Sequence, residues 1–255
     1  MKINSENFTH NSHDLFYRSA GDGATTLIML HGLAGDSRLF HNQIKYFSQI
    51  FRVIAPDLPG HGSSVNCPIS SMNDYVDAVD AIIRRENIRD PIILGHSMGG
   101  AVAMNYYFKN RNRVKALMLV STSARFKVKP ENIKDAETNF ESFYESLVKG
   151  TFAIKPDVFL AAAKNGIHPA QKDGILRGLK ICSAINFTEK LKEITVPVLL
   201  LGNRYDPVLP IELTVETGER IKGSKTVIFD MKGHVPFFEE SHNFNREIES
   251  FINSL

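Results

Sequence analysis

The chain has no tryptophan, only two cysteines and almost no net charge. Cys67 and Cys182 lie far apart and match no metal-ligand spacing. Two free thiols suit a reducing cytosol, so a cytoplasmic protein is expected. Thirty Lys and Arg against 28 Asp and Glu leave +2, which makes no electrostatic case for nucleic acid or an anionic membrane as partner. Met1 to His13 is polar and lacks the apolar core of a signal peptide. No apolar run approaches membrane-spanning length, so no membrane span is expected. Repeats and low-complexity tracts are missing too. What remains is an ordinary globular composition, 43% hydrophobic over 255 residues, enough for one large domain or one domain with an insertion, as a monomer or homodimer.

Apolar runs and glycine-rich turns then alternate. The polar N-terminal dozen residues suit an edge strand or hairpin, with Asp14 to Arg18 as a second strand. Thr25 to Leu30 is nearly continuous in apolar character, as expected where helices cover both sheet faces. Phe40, Ile44 and Phe47 have helical spacing, with Asp36 or Ser37 as cap. Phe51 to Pro56 is the next strand. Ser71 with Asp74 forms a capping-box pattern opening a helix with an apolar stripe from Met72 to Ile83. Ile92 to Leu94 and Val114 to Val120 read as buried strands. The regular alternation implies βαβ units, a parallel sheet and right-handed crossovers. It stops at Ser123. From there to Glu193 no strand is convincing. One amphipathic helix spans Ile133 to Leu147, a shorter one Pro156 to Lys164, and a third begins at Pro169. Such a stretch is too long for one crossover and reads as an inserted helical cap. Strands return at Val196 to Leu201 and Lys225 to Asp230, with a helix from Ile211 to Ile221 and a closing helix bearing Phe244, Ile248, Phe251 and Ile252. Residues 1–122 and 194–255 are therefore assigned to the core and 123–193 to the cap.

The chemistry centres on Gly95-His96-Ser97-Met98-Gly99-Gly100, set between a strand and a helix that is expected to run from Ala101. G-x-S-x-G at that junction is the nucleophile-elbow pattern, in which a sharp turn lifts a serine hydroxyl above the sheet edge. A serine hydroxyl is a weak nucleophile and needs a base, which in turn needs an orienting acid. Groups that meet ligands in such a sheet gather at the carboxyl ends of strands. Ser97, Asp206 and His234 occupy such positions in the order serine, acid, histidine. His31 and His61 are rival bases, since both sit on loops at the same edge. His234 is preferred because Gly233-His234 follows the last strand directly. His96 should point away from the serine at so tight a turn. Asp230 is the rival acid but belongs to the strand. Asp57 and His61, in Asp57 to Ser64, read as a loop bracing its own backbone. His31-Gly32-Leu33-Ala34-Gly35 turns N–H groups toward a common point, so the backbone N–H of Leu33 joins that of Met98 as a candidate oxyanion hole.

These motifs together — His31-Gly32-Leu33, DLPGHGSS at 57–64, GHSMGG at 95–100, GNRYDPVLP at 202–210 and Gly233-His234-Val235-Pro236 — resemble those of the α/β-hydrolase superfamily over essentially the whole chain. The resemblance implies an α/β fold with an eight-stranded, mostly parallel sheet, helices on both faces and a lid after the sixth strand. It also implies a Ser–Asp–His triad that uses no cofactor and no metal. The chain looks most like small lidded serine esterases, near the pimeloyl-carrier methyl esterases, the enol-lactonases and the carbon–carbon bond hydrolases. Ser97 stands where epoxide hydrolases and dehalogenases carry aspartate, and Leu33 to Asp36 replaces the longer glycine-proline loop of carbon–carbon hydrolases. The expected activity is cleavage of a small-molecule carboxylic ester through an acyl-enzyme at Ser97. A lactonase, thioesterase or carbon–carbon hydrolase would use the same triad, and a ligand-binding protein with a vestigial triad is the reading from another class. Phe140, Phe143 and Phe159 are the candidate acyl-pocket residues.

Overall fold

A computed structural model describes residues 2–163 and 169–255. Lys164, placed by the sequence at the end of a short helix, lies outside the described residues. The architecture is an eight-stranded mixed sheet in the order β1-β2-β4-β3-β5-β6-β7-β8. Strands β1 (Asn4–His10) and β2 (His13–Ala20) form an antiparallel hairpin closed by Asn11 and Ser12, both at positive φ. β2 pairs antiparallel with β4 (Arg52–Pro56). All later pairings are parallel, through β3 (Thr26–Leu30), β5 (Ile92–His96), β6 (Ala116–Val120), β7 (Val198–Tyr205) and β8 (Lys225–Lys232).

Every residue of β3, β5 and β6 is buried, because each strand feeds two cores. Side chains alternate across a strand, so Ile28 and Leu30 face one core while Leu27 and Met29 face the other. The first core packs against α2 (Met72–Arg85) and α3 (Met98–Lys109). The second packs against α1 (His41–Phe47) and the C-terminal helix Ser241–Asn253. Local signals set the ends. Ser71 and Asp74 make the reciprocal capping box at α2, and Asp36 caps the short turn Ser37–Phe40 that leads into α1.

Between β6 and β7 come α4 (Pro130–Thr138), α5 (Phe140–Thr151), α6 (Pro156–Ala163) and α7 (Pro169–Ser183). Among the described residues this stretch contains no strand, only an isolated antiparallel bridge between Arg125 and Asn186. The single helix expected over Ile133 to Leu147 is in fact two. Asn139 leaves helical geometry and its side chain accepts from Ser142 N–H, so a cap interrupts an unbroken apolar periodicity. Two further boundaries differ. α3 starts at Met98 rather than Ala101, because the elbow passes straight from strand to helix. β7 runs on to Tyr205 through residues expected to be loop, held by pairing with β8 across an irregularity between Asn203 and Tyr205. After β7 follow α8 (Ile211–Glu219), α9 (Pro236–Glu239) and α10, the C-terminal helix already described.

Backbones approach closely beside the elbow. A Cβ on Gly99 would overlap the carbonyl oxygens of Leu30 and His31, and one on Gly95 would overlap the backbone of Gly99 and Gly100. All of these are backbone atoms that cannot swing aside. Gly99→Ala is therefore expected to cost about 3 kcal/mol or more. Gly223→Ala, at φ +77° in open space, should cost only about 1 kcal/mol of backbone strain. Urea denaturation of both variants checks this, and equal losses would mean that β3 and α3 can separate freely.

Candidate active site

Ser97 joins β5 to α3 at φ 52° and ψ −120°. A β-substituted residue enters that region only when its surroundings hold it there. Three hydrogen bonds do so. Ser97 N–H donates to Val120 O at 2.9 Å, Thr122 Oγ1 donates to Ser97 O at 2.7 Å, and Gly100 N–H donates to the same carbonyl at 2.9 Å. Gly32 completes the fit from the other side, since a Cβ there would lie 3.0 Å from Ser97 Cβ and 2.9 Å from His96 Nδ1. The loop after β3 thus runs directly past the serine.

Asp206 follows β7 and His234 follows β8. The carboxylate accepts Val208 N–H at 2.8 Å and Leu209 N–H at 3.0 Å on Oδ1, which leaves Oδ2 aimed at His234 Nδ1, 2.6 Å away. An ionised carboxylate only accepts, so the imidazole carries its proton on Nδ1 and presents a bare Nε2. That Nε2 is buried and has no hydrogen-bond partner among the described residues. Asp230, the rival acid, is exposed and pairs with Arg204 at 3.0 Å.

Three other buried histidines are tied into backbone. Leu58 N–H donates to His31 Nε2 at 2.9 Å, so His31 Nδ1 carries the proton and donates to Gly32 O at 2.8 Å. His61 Nδ1 lies 2.9 Å from Pro59 O. His96 Nε2 donates to His234 O at 2.8 Å. Burial pulls the pKa of all three down, His61 to about 3. Asp57 accepts the N–H groups of Ser37 and Ser63 at 2.8 and 2.7 Å, a brace between two loops. Neither Leu33 nor Met98 donates its N–H to any acceptor among the described residues. For Met98 helix geometry requires this, since the first turn of a helix has no intrahelical acceptors.

Ser97, His234, Leu33 and Met98 all border one cavity of about 640 Å³, roofed by α5, α6 and α7. Asp206 does not border it. Of the aromatic residues expected there, Phe143 and Phe159 do line it, joined by Phe126, Phe152 and Phe238. Phe140 does not. It opens α5 with its ring turned into the helical layer, stacked on Tyr144 and covered by the Lys172 ammonium at 5.0 Å, and only 2% of it is exposed. Sequence reasoning also missed the polar lining residues Asp36, Arg38, Tyr144 and Lys127. Burial pushes the Asp36 carboxyl up, but the Arg38 guanidinium at 2.6 Å more than offsets this and holds it below its usual range. Asp36 is legible in sequence only as a helix cap. Nothing in its pattern signals that it borders a cavity. Among the described residues no group of three or more His, Cys, Asp or Glu is placed to hold a metal ion.

Residues 25–164 match the family described as the alpha/beta hydrolase fold, and residues 175–254 match a family described as TAP-like protein. The chain belongs to the α/β-hydrolase fold family. Within it, the chain is similar to a pimeloyl-[acyl-carrier protein] methyl ester esterase of Vibrio atlanticus, 27% identical over 94% of this chain and 98% of that one. A protein of the same description from Legionella pneumophila is 28% identical over 89% and 94%. Among solved structures, the enol-lactonase of Burkholderia xenovorans superposes with a TM-score of 0.88 at 21% identity, covering 97% of this chain and all of that one. An esterase from Exiguobacterium antarcticum gives 0.86 at 22% identity over 94% and 96%.

The three tied histidines make stability depend on pH. Their folded pKa values lie below the ordinary 6.5, so below that pH the unfolded chain binds protons that the folded chain refuses. Stability is full above about pH 6.5 and falls on acidification, by up to about 1.4 kcal/mol per pH unit for each ring. Urea unfolding at pH 7, 6 and 5 should show a falling midpoint. A flat profile would mean that the rings protonate without unfolding.

Proposed function

We propose that this hydrolase cleaves a carboxylic ester through an acyl-enzyme at Ser97. The observation that carries the proposal is the bare, unpartnered Nε2 of His234, on a ring oriented by Asp206 and bordering the same cavity as the strained Ser97. Ser97 Oγ attacks the ester carbonyl as Nε2 takes its proton. The carbonyl oxygen becomes an oxyanion, held by the N–H groups of Leu33 and Met98. Each such donor is worth roughly 3 kcal/mol in the transition state. His234 returns the proton to the departing alcohol. Water, deprotonated by the same nitrogen, then attacks the acyl-serine and releases the acid. Asp206 keeps the imidazole in the right tautomer and stabilises its charged form.

Residues 123–193 act in this reading as a cap over a core of 1–122 and 194–255. The aromatic lining from Phe143, Phe152 and Phe159 suits an aliphatic acyl chain of modest length. The curated relatives are named for a methyl ester of a carrier-bound acyl chain, and an ester of a small alcohol is the substrate class proposed for this chain.

Hydrolysis of p-nitrophenyl esters from acetate to dodecanoate tests the proposal. Ser97→Ala and His234→Ala are expected to lower kcat by about 10³-fold or more, and Asp206→Asn by about 10⁴-fold through the wrong tautomer. Ser63→Ala should match the wild type. An organophosphonate should label Ser97. Turnover that survives Ser97→Ala would sink the assignment. Product analysis on lactones, thioesters and vinylogous diketones separates the bond types.

A further inference from the structure

The chain after α5 is fastened to the loop that carries His234. His234 N–H donates to Thr151 O at 2.8 Å, so the last turn of α5 holds the backbone of that residue. Two residues on, Ala153 N–H donates to Glu239 Oε1 at 2.5 Å, and Ile154 N–H donates to the same carboxylate. Glu239 lies at the end of α9, five residues past His234. Its carboxylate fills the space that a Cβ on Gly233 would need, at φ +89°. Asn203 Nδ2 bridges the group from β7, donating to Gly233 O at 3.1 Å and lying 3.4 Å from Glu239 Oε2. One half-buried carboxylate thus touches the residue before His234, the strand that leads to Asp206, and the link between α5 and α6.

That link also feels whatever fills the cavity. Phe152 stacks on Phe159 at 3.6 Å between ring centroids, and both lie edge-on to Phe238, the neighbour of Glu239. All three rings line the cavity. Nothing in the catalytic cycle above uses Glu239. Burial, with Asp206 nearby, raises its pKa, a cost that a purely surface glutamate would not carry.

We propose that Glu239 is a positioning residue, which holds Gly233 and the α5–α6 link together so that acyl-pocket occupancy and the placement of His234 are coupled. This rests on the ester-hydrolase reading of Ser97 and His234. Losing the carboxylate frees the two N–H groups of the link and removes the contact that packs Gly233 against it, so the peptide of His234 keeps only its bonds to Thr151 O and His96 Nε2. The imidazole then spends less time aimed at Ser97, while the apolar lining is unchanged. The loss falls on kcat rather than KM.

Glu239→Ala and Glu239→Asp, in the full chain, test this against the wild type on p-nitrophenyl butyrate and octanoate. The aspartate keeps the charge but withdraws it by one methylene, so it serves as the test should the alanine variant not fold. Expected is a kcat at least tenfold lower for Ala and at least fivefold lower for Asp, with KM within threefold. The downfield proton resonance of His234 Nδ1–H, assigned by its absence in His234→Ala, should broaden in both. The octanoate-to-butyrate ratio of kcat should move from its wild-type value toward one. Folded variants with kcat within twofold of wild type, or a change confined to KM, overturn the role of Glu239 and leave the hydrolase reading intact. A wild type with neither Ser97-dependent turnover nor a phosphonate adduct overturns both.

Discussion

The close approach of α3 to the carbonyl ends of β3 is the constraint on which the rest depends. Gly99 lies against Leu30 O and His31 O with no room for a side chain. That contact allows the chain to leave β5 and enter α3 at a single residue, and it forces that residue into a positive φ. It also draws the loop after β3 past Ser97, so that Gly32 lies beside the serine and the N–H groups of Leu33 and Met98 are free. The proposed nucleophile and oxyanion donors are consequences of one packing event. The surrounding strands are rigid because each is buried on both faces.

Histidine serves two ends in this protein. His31 and His96 are struts that join separate loops through a ring nitrogen, His61 braces its own loop, and burial disfavours the charged form of all three. His234 differs in having a carboxylate on one ring nitrogen, where the other three have backbone partners. The distinction lies in the partner, not in burial, since all four are buried. His96 connects the two uses, because it donates to the carbonyl of His234 from the position next to Ser97.

Much of this was legible in the chain. Continuous apolar runs located the central strands and period-3.6 patterns most helices, because a strand covered on both faces is apolar throughout while a helix buries one stripe. Capping chemistry located the start of α2. The pattern failed where polar detail overrode it: Asn139 splits an apolar stripe into α4 and α5, and pairing with β8 extends β7 through residues rich in turn formers. The triad candidates could be ordered along the chain because loops at one sheet edge are few. Phe140 could not be told from Phe143, since helical spacing gives neighbours on a face but not which face meets the cavity.

By itself the sequence determined the family, the order of the strands and which candidate residues follow them at one sheet edge, because glycine spacing and apolar runs act locally. The tertiary structure alone decided which histidine meets a carboxylate, which acid that is, and that Glu239 ties the helical layer to the His234 loop. Those outcomes depend on groups brought together from distant strands. A hydrogen-bond partner 28 residues away, as Asp206 is from His234, leaves no mark on local pattern.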